Sequence, residues 1–133
     1  MNSPSIKIET EVKPTEDVEK VKQAILNLVS NPRFDSEVRG NESFIIAKAS
    51  GEEGLSKLQS LLKQERIRDA ARKVFLEGIS GSVITFHLNK QAAYVNHISF
   101  CKPKAESPLG PIKVEIASNN PEELIDWLTR EKI

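Results

Sequence analysis

Near its start the chain alternates apolar and polar side chains, with Ile6, Ile8 and Val12 set against Lys7, Glu9, Glu11 and Lys13. A period of two predicts a strand with one dry and one wet face. Pro14-Thr15 ends it, and Thr15 is placed to cap a helix with Glu16 and Asp17 in its first turn. The rhythm then becomes helical: Val18, Val21, Ile25, Leu28 and Val29 form one stripe, which Asn31-Pro32 stops. Phe34 to Val38, Gly40-Asn41 and Ser43 to Ala49 read as a β-hairpin with a short turn.

Ser50 and Glu53 make a capping-box pattern for a second helix, although Gly51–Gly54 is loop-like in composition. Its stripe is Leu55, Leu58 and Leu62; the next is Ile67, Ala70, Ala71, Val74 and Phe75. The step from Leu62 to Ile67 breaks the three-four spacing, which predicts a kink or break between Lys63 and Arg66. Gly78 and Gly81 end this helical region.

Val83 to Leu88 is the strongest strand, with Ile84, Phe86 and Leu88 on one face. Asn89 is placed to cap a short helical turn from Lys90 to Tyr94, closed by Asn96 in a left-handed conformation. Ile98 and Phe100 mark a short strand, and Ile112, Val114 and Ile116 another. A last helix opens with Asn120 as cap, Pro121 at its first position and Glu122-Glu123 behind it; Leu124, Ile125 and Leu128 bury it, with Trp127 at their edge. Strands with one wet face imply an antiparallel sheet covered on one side. The expected fold is α+β, a two-layer sandwich with a mostly antiparallel sheet and helices on one face, one domain over residues 1–133.

Composition adds little to that picture, since apolar content of 38% and charged content of 29% are those of a soluble globule. Cys101 is the sole cysteine, so no internal disulfide framework exists. No apolar run is long enough for a membrane helix, and Met1–Ser5 carries no signal pattern. The expected location is cytoplasmic.

Charge changes the picture more. The chain is neutral overall, with 19 basic and 19 acidic residues. From Lys63 to Lys104, however, eight basic residues stand against three acidic ones, a net of +5, which leaves −5 on the remainder. A basic middle on a neutral protein can offer one face to phosphate. With Ile67 at the centre of the buried arc, Arg68 and Arg72 fall on one flank of an ideal helix, and Arg66 and Lys73 on the other. Two arginines one turn apart can grip successive phosphates. The competing use of these cations is pairing with Glu65, Asp69 and Glu77, or lying over the edge of the core. Lys90 and Gln91, and Lys102 with Lys104, would add a basic rim if their loops meet beside one flank. Tyr94 is the best exposed aromatic for stacking on a base; one such residue favours recognition of backbone or shape over a stacking platform.

Other chemistry is poorly supported. His97 and Cys101, four apart on an expected strand, would share a face with their α-carbons about 13 Å apart, too far for a local nucleophile–base pair. No close-spaced Cys or His pair suggests a metal, and Gly51–Gly54 lacks the phosphate-loop spacing. The reading is of a non-enzyme without cofactor or metal.

Four strings occur in order: Val12–Asp17, Arg66–Arg72, Phe86–Ala93 and Pro108–Ile112. On these the chain resembles an uncharacterised archaeal protein family of about this length, over essentially all of its residues. Its members resemble in fold the L-five type of ribosomal protein, which binds RNA. The resemblance implies a two-layer α+β domain and a role in RNA binding, and it brings no established site residues. Asn96 stands where the family pattern leads one to expect Gly; Asn tolerates that geometry. The candidate RNA contacts are therefore Arg66, Arg68, Arg72, Lys73, Lys90, Gln91 and Lys102. The alternative is a protein-interaction or structural module, a homodimer through an exposed sheet edge or helix face.

Overall fold

The computed structural model describes residues 3–102 and 110–130. Lys104 and Pro108-Leu109 lie outside them. Seven strands and six helices follow in the order β1 (Ser5–Val12), α1 (Val18–Leu26), β2 (Arg33–Arg39), β3 (Glu42–Ser50), α2 (Gly51–Gly54), α3 (Ser56–Gln64), α4 (Arg68–Glu77), β4 (Ile79–Ser80), β5 (Val83–Asn89), α5 (Lys90–Tyr94), β6 (Phe100–Cys101), β7 (Pro111–Ala117) and α6 (Pro121–Thr129). The strands form one sheet of order β2-β3-β1-β7-β5-β4, with β6 also on β5, and every pairing is antiparallel.

Register explains the single core. Ile8 lies opposite both Ala47 and Val114, and Val114 opposite Phe86, so the dry residues of four strands share one face. Those residues are buried with Val21, Ile25, Leu58, Leu62, Phe75, Ile125 and Leu128 of the helices. The other face carries Lys7, Glu9, Lys113, His87 and their neighbours. Helices on one face of an antiparallel sheet make the expected two-layer α+β sandwich.

Several local signals operate as the pattern predicts. Gly40, at φ 61°, turns the β2–β3 hairpin. Asn89 accepts from Ala92 N, and Asn120 from Glu123 N ahead of Pro121. Asn96 is left-handed at φ 64°. The break after Lys63 is real: α3 ends at Gln64, Arg66 turns at φ 57°, and α4 starts at Arg68.

Others differ. Asp17, not Thr15, caps α1, because Glu16 N bonds Lys13 O and this turn delays the helix by two residues. Val18 is consequently exposed. Gly51–Gly54 is helical, and Ser50 precedes it without a side-chain capping bond. Ala70 is exposed because α4 begins after Ile67, which sets its buried side on Ala71 and Phe75. His97 and Ile98 precede the short strand β6, so His97 and Cys101 share no strand face. β4 was not expected. It arises where Gly78 meets β5: Thr85 N donates to Gly78 O at 3.0 Å, and a Cβ at Gly78 would fall 2.1 Å from Thr85 O, so only glycine fits.

The open face contains a titrating group. Burial and the nearby Lys113 hold the His87 imidazole below its ordinary value, and Glu115 opposes them. A base depressed in the folded state binds its proton first in the unfolded chain. Stability is therefore expected to fall as pH drops from about 7 towards 5, by at most about 1.4 kcal/mol per unit from this group. Urea titrations of wild type and His87→Gln should show a shallower pH dependence in the variant. Equal slopes would remove His87 as the cause.

Candidate nucleic-acid interface

The joint between α3 and α4 is the centre of the candidate site. The chain turns there through Arg66 in the left-handed region, an uncommon conformation for a residue with a Cβ. Glu65 holds the joint in place: one carboxylate oxygen accepts from Ile98 N at 3.1 Å and the other contacts His97 Nδ1. The turn is thereby tied to the loop after α5, and Arg66 is carried outward.

Two adjoining hollows open beside this joint. One, of about 760 Å³, is lined by Ser60, Lys63, Gln64, Arg66, Arg68 and Thr129 together with Asp69. The second, of about 400 Å³, shares Ser60, Lys63 and Arg68 and adds Trp127 and Arg130 of the α6 end. Lys63, Arg66, Arg68 and Arg130 thus surround one cleft, with Asp69 the one acid lining it among the described residues. The side chains of Lys63, Arg66 and Arg130 have no hydrogen-bond or ion-pair partner among the described residues, while Arg68 Nη1 donates to Arg130 O at 3.1 Å. Close-set cations with few internal partners attract polyanions.

The remaining sequence candidates divide. Arg72 lies on the same flank as Arg68, but its guanidinium pairs with Asp126. Lys73 is exposed on α4 and lines neither hollow. Arg66 and Lys73 do not form a second flank, because Arg66 precedes the helix.

Lys90 is not a surface cation. It is 4% exposed, and its ammonium donates to Glu11 O at 2.6 Å and to the Glu16 carboxylate at 3.0 and 3.2 Å. Burial lowers its pKa, and the bonds to Glu16 oppose that. Glu16 therefore serves as the counter-ion of Lys90 and also accepts from Lys13 N at 2.8 Å. Gln91 stays at the surface, in a different hollow. Lys102 is exposed, but β6 runs antiparallel to β5, so the chain leaves Cys101 heading away from the β5 end that leads to Lys90. Buried Lys90 therefore adds nothing to a basic rim, and Lys104 lies outside the described residues.

Sequence reasoning missed Arg130 and did not select Lys63 as a contact. Arg130 follows the last turn of α6, a usual place for a cation. Only the packing of α6 on α3 and α4 brings it to the joint. Among the described residues no helix is long and apolar enough to cross a membrane.

These features define a two-layer α+β protein with a cationic cleft among its helices. Over residues 5–118 it matches a family model described as RNA binding. It is 49% identical to a UPF0201 protein of Sulfurisphaera tokodaii, over 92% of this chain and 84% of that one. It is 41% identical to a UPF0201 protein of Thermococcus kodakarensis, over 92% and 87%. The chain belongs to this family of archaeal UPF0201 proteins, as the four sequence strings led us to expect. A crystal structure of a UPF0201 protein from Methanococcus jannaschii superposes with a TM-score of 0.82 at 32% identity, covering 97% of this chain and 95% of that one. A DUF54 protein from Methanothermobacter thermautotrophicus shares the fold, with a TM-score of 0.62 at 17% identity over 95% and 97% of the two chains.

Proposed function

We propose that this protein binds RNA, without catalysis, by seating phosphates against Lys63, Arg66, Arg68 and Arg130. The carrying observation is the clustering of these four cations around one cleft, three of them with side chains unpartnered among the described residues. The family description supports RNA as the polyanion. Arg72 and Lys73 extend the same helix and lie beyond the centre; Lys90 takes no part, because it is buried.

Four phosphate contacts to a single strand correspond to a log–log salt slope near about −3. Arg66→Gln with Arg68→Gln should make the slope shallower by about 1.4 and weaken binding about 10- to 100-fold. The measurement is fluorescence anisotropy of a mixed-sequence RNA titrated at several salt concentrations. Absence of binding at about 50 mM salt, or an unchanged double variant, rejects the proposal. Trp127, the only tryptophan, lines the second hollow and gives an independent fluorescence report of occupancy.

A homodimer without nucleic acid would use the exposed β2 edge. Antiparallel self-pairing centred on Ser36 sets Arg33 against Arg39 and Asp35 against Glu37 of the second copy. Like charges face each other in both pairs, so the edge is better read as protected against pairing. Light scattering at two concentrations tests it.

A further inference from the structure

Tyr94 is the only tyrosine, and it is 42% exposed at the end of α5. Its ring forms one wall of a hollow of about 290 Å³ between α1 and α5. Val21 and Ala24 supply apolar surface; Thr15, Lys20, Gln91 and the carboxylates of Glu16 and Asp17 supply polar groups. That volume falls just below the roughly 300–1,000 Å³ of drug-sized sites and suits one flat ring.

The backbone that carries this ring is held in place before any ligand arrives. Asn27 Nδ2 donates to Ala93 O at 2.9 Å and to Tyr94 O at 3.1 Å, which ties the end of α5 to α1. Beyond Tyr94, His97 N bonds back to Ala92 O at 2.9 Å and Asn96 turns left-handed. The buried Lys90–Glu16 pair fixes the α5 start against the β1–α1 turn. A preformed aromatic wall loses little entropy on binding.

A groove runs from the cationic cleft to Asn27, whose side chain donates to Tyr94 O. Asn96, two residues past Tyr94, lines this groove with Ser60 and Gln64, and both of these line the cleft. His97, one residue further, touches Glu65 beside Arg66. Tyr94 to His97 spans at most about 11 Å of chain. The groove along α3 thus leads from Arg66 and Arg68 towards the chain segment that carries Tyr94.

We infer that the Tyr94 hollow takes one unstacked base of a single-stranded RNA whose backbone lies in the cationic cleft. This rests on the RNA-binding reading and sharpens it from backbone contact to single-stranded segments. Base–aromatic stacking supplies affinity that a paired base, already stacked in its duplex, cannot offer.

The test compares a labelled single-stranded RNA with a fully paired RNA of the same length, by anisotropy at one salt concentration. Tyr94→Ala should weaken single-strand binding at least about fivefold and leave duplex binding within about twofold. Tyr94→Phe, which keeps the ring, should bind both like wild type. Arg66→Gln with Arg68→Gln should weaken both RNAs. Unchanged single-strand affinity in Tyr94→Ala, or an equal loss on both RNAs, overturns the base site while the cleft reading stands. Wild type that binds neither RNA overturns both.

Discussion

Lys90→Met should destabilise the protein by about 3–5 kcal/mol, because it strips a buried carboxylate of its counter-ion. Lys90 and Glu16 have side chains 4% and 9% exposed, so water does not screen their interaction as it screens a surface pair. Removing the ammonium leaves Glu16 with only the Lys13 N–H, and Glu11 O loses its donor. Lys90→Met with Glu16→Gln removes the charge as well and keeps an acceptor for Lys13, so much of the loss should return. Urea unfolding of the single and double variants measures both. A single-variant loss below about 1 kcal/mol would mean that the pair behaves as a solvated one. On the RNA-binding proposal, Lys90→Met should bind RNA like wild type where it is folded, which separates this lysine from the cations of the cleft.

Phe75→Ala is expected to cost a further class of large loss, about 3–5 kcal/mol, through a cavity under α4. Phe75 is fully buried, with its ring 4.7 Å from Phe86 on β5 and 5.8 Å from Phe100 on β6, the latter nearly edge-on. These ring pairs contribute beyond the area they bury. The three phenylalanines join α4 to two strands, and α4 begins at Arg68, so the core supports the cleft directly. A lower urea midpoint with an unchanged slope would identify a pure stability loss. On the RNA-binding proposal, added RNA should raise the midpoints of variant and wild type alike, since a ligand of the native state shifts unfolding by mass action. A loss under about 1 kcal/mol would show that the site collapses around the missing ring.

Both residues show where sequence reasoning reached and where it stopped. Phe75 belongs to a helical stripe, and its burial follows from spacing alone. Lys90 directly follows a cap residue in a polar turn, where a lysine usually meets water. Its burial depends on Glu16 and Glu11, more than seventy positions away in the chain, and no local pattern reports them.

The candidate site divides in the same way. The break between Leu62 and Ile67 was legible as a fault in the helical period, and Arg66 with Arg68 as its charged neighbours. Arg72 carried the same signal as Arg68, yet it faces Asp126 on α6. Arg130 carried almost none, yet it completes the cleft. The hollow at Tyr94 joins α1 to α5, which are separated by four strands and three helices.

By itself, then, the sequence determined the two-layer α+β arrangement, the helix break and the caps at Asn89 and Asn120, because these depend on period, on φ and on hydrogen bonds between near neighbours. Tertiary structure decided which cations reach solvent together, because that depends on the packing of α3, α4 and α6 and on acids brought from distant positions.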